Sequence, residues 1–239
     1  RQLGINNSIR GLRYKFFPSN NFEISAIHGK QRNGFEYSSS VITGINSELN
    51  LSEFLNSKNV DIVFGVSLVN RYQNINSGFN IPENVTVSGT RFDLFYNKFY
   101  ANIELAKKEN DVIANNGEIL SERKYDGTAI QIDLGYSQKG LGINTSFRRL
   151  ENFNLYSDKL AEGNIYNQKT ISFTPALTKQ QDYLLTNIYV YNSQPRLVIG
   201  DIEKRVGEVG FQNDIYYSFK NESFLGEYKT KLAINFSYW

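Results

Sequence analysis

The chain holds one imidazole, His28, in the run Ala26-Ile27-His28-Gly29-Lys30, and any catalytic reading has to start there. A single histidine paired with a serine or aspartate on a neighbouring strand is enough for nucleophilic hydrolysis. No GxSxG-type elbow accompanies it, and the Ser38–Ser40 run falls in a polar connecting stretch. A hydrogen-bonded histidine at a strand end is the better account. The chain has no cysteine, which removes thiolate metal sites, disulfides and cysteine nucleophiles together. Sites built on two imidazoles fall with the single histidine. Gly140-Leu141-Gly142 offers a GxG, but it lies in a strand–turn–strand, whereas phosphate binding needs a helix N-terminus after the glycines. The run Glu109-Asn110-Asp111 through Asn115-Asn116-Gly117-Glu118 is rich in oxygen ligands, with Tyr125-Asp126-Gly127 beyond it. Its spacing matches no EF-hand, so a solvated loop is preferred to a calcium site. The expectation is a protein that is not an enzyme and carries no cofactor.

A larger set of polar residues shares one property, alternation with apolar neighbours. It comprises Arg13, Lys15, Glu48, Arg91, Asp93, Asn102, Glu104, Gln131, Asp133, Asn144, Arg148, Gln212 and Asp214, with Lys229 and Lys231 near the end. Opposite them stand runs such as Leu12-x-Tyr14-x-Phe16, Ile62-x-Phe64-x-Val66-x-Leu68 and Ile130-x-Ile132-x-Leu134-x-Tyr136. Successive side chains on a strand point to opposite faces, so each segment has one apolar and one polar face. No comparable helical period occurs, and the fold class is all-β.

Twelve strands are expected, at 9–18, 21–30, 42–52, 60–72, 85–96, 99–108, 128–137, 141–150, 164–174, 183–192, 206–219 and 227–239. Short connections (18–20, 97–98, 138–140, 175–182, 220–226, and a medium one at 53–59) alternate with long polar ones at 31–41, 73–84, 109–127, 151–163 and 193–205. Tight turns at one end and long loops at the other are the wiring of an antiparallel up-and-down transmembrane β-barrel. Most segments reach the ~9–11 residues that a tilted membrane strand needs, longer than an ordinary sheet strand. Phe16, Phe17, Phe95, Tyr96, Phe99, Tyr100, Tyr136 and Phe147 stand near strand ends, where an interfacial girdle would sit. A soluble β-sandwich with one apolar face per sheet is the alternative. No apolar run approaches the ~18 residues of a membrane helix, which leaves a barrel open. No linker or repeat divides residues 1–239, so one domain is expected.

Several stretches carry a resemblance: LGINNSIRGLRYKFFP, HGKQRNGF, GYSQKGLGINTSFRRLENF, FTPALTKQQDY and GEVGFQNDIYY. In this order they resemble an outer-membrane barrel family of the Bacteroidota whose domain has no known function. RRLEN and PALTKQ are the most specific parts, and the resemblance spans nearly the whole chain. It implies a barrel in the outer membrane and a β-rich region before Arg1, and it supplies no catalytic residue. Leu150, Asn152, Phe153, Ser157, Asp158 and the Ser193-Gln194-Pro195 loop match the family pattern loosely, without an assigned role. Trp239 is terminal, but the apolar set Ile234, Phe236 and Tyr238 is offset from it by one residue, which moves a side chain to the other face. Together with the absence of methionine, this leads to the expectation of a segment of a larger barrel.

With 26 basic and 24 acidic residues interspersed, no basic stripe marks a nucleic-acid partner. The expected partners are outer-membrane lipid and lipopolysaccharide, and other outer-membrane proteins or lipoproteins. The polar set is expected to face the lumen and to seal it by pairing charges across strands. A structural or interaction role in an outer-membrane assembly follows, with a porin-like channel for small solutes as the alternative.

Overall fold

A computed structural model describes residues 8–33, 35–52, 59–75, 80–115, 118–153, 155–161, 169–171, 207–227 and 230–238. Among them there is no α-helix. Ten strands form one antiparallel meander: β1 (Ile9–Ser19), β2 (Phe22–Asn33), β4 (Val41–Asn50), β5 (Val60–Tyr72), β6 (Asn84–Tyr96), β7 (Phe99–Asn115), β8 (Glu118–Gln138), β9 (Leu141–Glu151), β12 (Gly207–Ser218) and β13 (Lys231–Tyr238). The two-residue β3 (Glu36–Tyr37) adds to β2, and β10 (Leu155–Tyr156) pairs with β11 (Lys169–Ile171) in a separate ribbon. The sheet is open, with β1 and β13 at its two edges.

Alternation sets which side each strand presents, and tight turns set the register. Asn97 adopts φ 52° and Gly140 φ 83°, the left-handed conformations that two-residue hairpin turns require. Neighbouring turns are stitched together by Ser137 N–H donating to the Lys98 carbonyl (2.9 Å) and Ser218 N–H to the Gly140 carbonyl (2.8 Å). Pro18, which cannot donate to a ladder, sits at the register shift near the end of edge strand β1.

Ten of the twelve expected strands lie in this meander. Of 164–174, only Lys169–Ile171 is described, and it pairs with β10 instead of joining the sheet; 183–192 lies outside the described residues. The expected long loop at 109–127 is corrected. Here β7 and β8 continue as a paired arm up to Asn115 and Glu118, with register shifts after Lys108 and Val112. Asn, Lys and Glu dominate the arm and mask its alternation, but a hairpin needs only backbone pairing to persist.

The two faces of the sheet have opposite chemistry. On the open face lie Leu12 and Tyr14 of β1, Phe64, Val66 and Leu68 of β5, Leu105 of β7, Leu134 of β8 and Ile234 and Phe236 of β13, all exposed. On the covered face Arg91, Glu104, Gln131, Asp133, Arg148, Gln212 and Asp214 are all buried. Over much of the sheet the apolar residues are thus exposed and the polar ones buried.

Candidate functional site

The described residues of the alternating polar set all lie on the covered face. Cross-strand partners share a face, and the ladder runs Glu48–Gly65–Arg91–Glu104–Gln131–Arg148–Gly210 across seven strands. A second row, one step along the strands, holds Asp93, Asn102, Asp133 and Ser146. A third, on β9, β12 and β13, holds Asn144, Asp214 and Asn235. Arg13 and Lys15 share this side but stay exposed at edge strand β1, where Lys15 pairs with Glu23 at 2.7 Å. Lys231 is likewise on this side and exposed, and Lys229 lies outside the described residues.

Within the rows, long side chains reach over glycines. Arg91 on β6 crosses Gly65 on β5 and donates to Glu48 (2.8 Å) and Asn46 (3.0 Å) on β4. A Cβ on Gly65 would stand 2.4 Å from the Arg91 guanidinium, so the missing side chain is what opens the path. Tyr100 on β7 lies over Gly135 on β8 and donates its hydroxyl to Asn144 on β9 at 2.7 Å. Around these crossings Asn102 donates to Asp93 (2.7 Å), Gln131 and Ser146 to Asp133, and Gln212 and Asn235 to Asp214. Charged hydrogen bonds of this kind are the strong ones, and a covered face full of them is rigid.

The expected aromatic girdle divides between the faces. Tyr96, Phe99 and Tyr136 form a row on the open face beside the short turns, with the Phe99 and Tyr136 rings 4.6 Å apart. Phe95 and Tyr100 belong to the covered side, Phe17 lies in the register shift of β1, and Phe147 sits mid-strand on the open face opposite Ile132 and Phe211. Nearness to a strand end therefore does not decide which face an aromatic takes; side is set by parity.

Toward the long-loop end the covered face changes character. Val69, Val85, Val87, Ala106, Ala129 and Leu150 form an apolar patch, and the chain after β9 folds back onto it. Asn152, at φ 47°, reverses the direction, and its carbonyl passes so close to Gly127 that a Cβ there would stand 2.4 Å away. Phe153 and Leu155 then insert into the patch, Leu155 with no exposed surface. We call residues 152–161 the latch.

Polar contacts fasten it to three other connections. Lys159 Nζ pairs with Asp111 and donates to the Val112 carbonyl (2.8 Å) in the β7–β8 arm. Arg71, fully buried, lies 3.8 Å from Asp111 and donates to the Pro82 carbonyl (3.2 Å). Gln73 donates to Asp158 (2.8 Å) and to Ser39 (2.8 Å), and accepts from the Lys159 N–H (3.2 Å). Burial lowers the Lys159 ammonium to about 8 despite the opposing pull of Asp111, and burial pushes the Tyr156 hydroxyl up.

The sequence reading attached no role to Asn152, Phe153, Ser157 and Asp158 and did not single out Leu155 or Lys159. The one local signal is a short alternation, Phe153-x-Leu155-x-Ser157-x-Lys159, and all four of these residues are buried. The Ser193-Gln194-Pro195 loop lies outside the described residues.

His28 is on the open face, where its Nδ1 stands 2.9 Å from Thr43 Oγ1. Two carboxylates of the oxygen-rich run at 109–118 engage protein groups. Glu109 accepts from the Thr86 N–H (2.9 Å) and Asp111 holds Lys159. Among the described residues no three His, Asp or Glu side chains are grouped as a metal site needs.

The chain belongs to the family of unknown function DUF6029, whose model matches residues 1–239. No curated protein matches it.

Proposed function

We propose that this protein is an integral outer-membrane β-barrel of a Bacteroidota-type Gram-negative bacterium, with a structural or interaction role in an outer-membrane assembly and a lumen occluded by its own side chains. The observation that carries this reading is the inversion of the two faces. A face of exposed Leu, Val, Ile and Phe backed by a buried layer of Arg, Asp, Glu and Gln suits lipid outside and a polar interior inside. The dimensions agree. Val60 to Leu68 on β5 is an unbroken open-face apolar series, about 26 Å along the strand at ~3.3 Å per residue. At a tilt of 35–45° that gives a band of about 20 Å, close to the ~25 Å of outer-membrane barrels. The edges at β1 and β13 need partners, because unpaired strand groups in lipid cost several kcal/mol each.

Occlusion rests on two layers in series, the hydrogen-bonded rows at the waist and the latch at the long-loop end. Planar-bilayer recording from purified protein tests it. The expected result is an absence of steady conductance, and a steady ohmic current would replace this reading with the channel alternative.

A further inference from the structure

On the open face, the long-loop end of β1 and β2 is basic. Arg10 and Lys30 are direct cross-strand partners, and Arg32 lies two residues further along β2 on the same side. Like charges set opposite one another repel, and a sheet accommodates them when a counter-charge comes from elsewhere. Among the described residues, the open-face positions of β1, β2, β4 and β5 contain no Asp or Glu to face the Arg10–Lys30 pair. Arg10 is oriented by Tyr37 of β3, lying 4.9 Å from the ring centroid and donating to its hydroxyl. Directly beneath the cations runs an apolar groove lined by Leu12, Tyr14, Ala26, Ile45 and Leu68, with the His28–Thr43 pair at its upper edge. Cations and an aromatic stand above; a groove without charge lies below. That order, read from the long-loop end toward the turns, is the order of a phosphorylated headgroup and its acyl chains.

We infer that Arg10, Lys30 and the groove below them form a docking site for one phosphate-bearing lipid, the cations holding the phosphate and the groove one acyl chain. This rests on the membrane reading above. Charge complementarity selects the occupant: a neutral lipid leaves the Arg10–Lys30 repulsion uncompensated, and a free phosphate leaves the groove unused. Each cation near a membrane surface contributes on the order of fivefold to the binding of an anionic lipid, so the two together contribute about 25-fold.

The test uses the full chain folded into phosphatidylcholine vesicles doped with diphosphoryl lipid A, extracted in mild detergent and analysed for retained lipid by native mass spectrometry. Wild type is expected to retain lipid A at one equivalent, and the Arg10→Gln/Lys30→Gln variant to lose retention by about 25-fold, with Lys107→Gln, an open-face cation on β7, unchanged. Leu12→Asn is expected to weaken retention without touching a charge. Equal retention by wild type and double variant would overturn the site, as would displacement of the lipid by millimolar inorganic phosphate, which would make the groove irrelevant. Failure of wild type to insert into any vesicle refutes the membrane reading itself, and is told apart because insertion is scored separately by protease protection.

Discussion

The covered and open faces are built from alternate residues of the same strands, yet they follow opposite rules. The open face is largely apolar, and its side-chain hydrogen bonds, such as His28–Thr43, Asn70–Thr86 and Thr145–Asn213, join direct cross-strand neighbours. The covered face is polar and its members reach two strands away, over Gly65 and Gly135, or across the sheet to the latch. The difference teaches where specificity resides. An open-face residue has to be apolar and of fitting size, while a covered-face residue has to be one particular side chain opposite another.

That contrast can be broken from the covered side first. Asp111→Ala leaves Lys159 and Arg71 buried without their shared carboxylate, a loss of about 3–5 kcal/mol. Tryptic cleavage after Lys159 should then accelerate on the order of a hundredfold or more, and an unchanged cleavage rate would mean the latch is held by its apolar contacts alone. The opposite intrusion is Val66→Arg, a charge placed on the open face. In a bilayer it should cost about 2–4 kcal/mol of folding free energy in liposomes. On a water-facing sheet the same change would stay within about 0.5 kcal/mol, and that outcome would remove the membrane reading. Gly135→Ala sets a methyl against the Tyr100 ring and should cost about 1–3 kcal/mol in urea unfolding, most of it regained in the Gly135→Ala/Tyr100→Ala double variant. Gly65→Ala should cost less, since the flexible end of Arg91 can move aside.

The smallest effect is a pH dependence. Lys159 binds its proton more weakly in the folded protein than when unfolded, so the unfolded state holds more protons between about 8 and the ordinary lysine value. Latch stability should therefore rise with pH through that window and stay flat below it. Protease protection of residues 153–161 at pH 7 and pH 10 checks the sign, and weaker protection at pH 10 would show that the charged pair with Asp111 outweighs burial.

Much of this was legible in the sequence because period two is local. Ile62-x-Phe64-x-Val66-x-Leu68 states its side without reference to anything distant, and the polar residues that alternate with such runs state the opposite side. The latch was not legible for the same reason. Lys159 finds its partner Asp111 on another hairpin, and Asn152 turns inward because Gly127 on β8 leaves room. The β7–β8 arm hid behind its composition, since polar residues on both sides erase the alternation while the backbone goes on pairing. Phe95 and Tyr100 were misplaced by a rule that ignored parity, and Phe147 because it sits mid-strand and not at an end.

The latch also orders events in time. Its anchors come from the connections after β2, β5 and β7, and Ser39 N–H reaches Asp158 across 119 residues of chain. Contacts of such sequence separation form late, after the nearer pairings that make them affordable in chain entropy. Residues 152–161 can seat only on a sheet whose earlier hairpins already stand in register, so their protection from exchange or proteolysis would report the completion of folding.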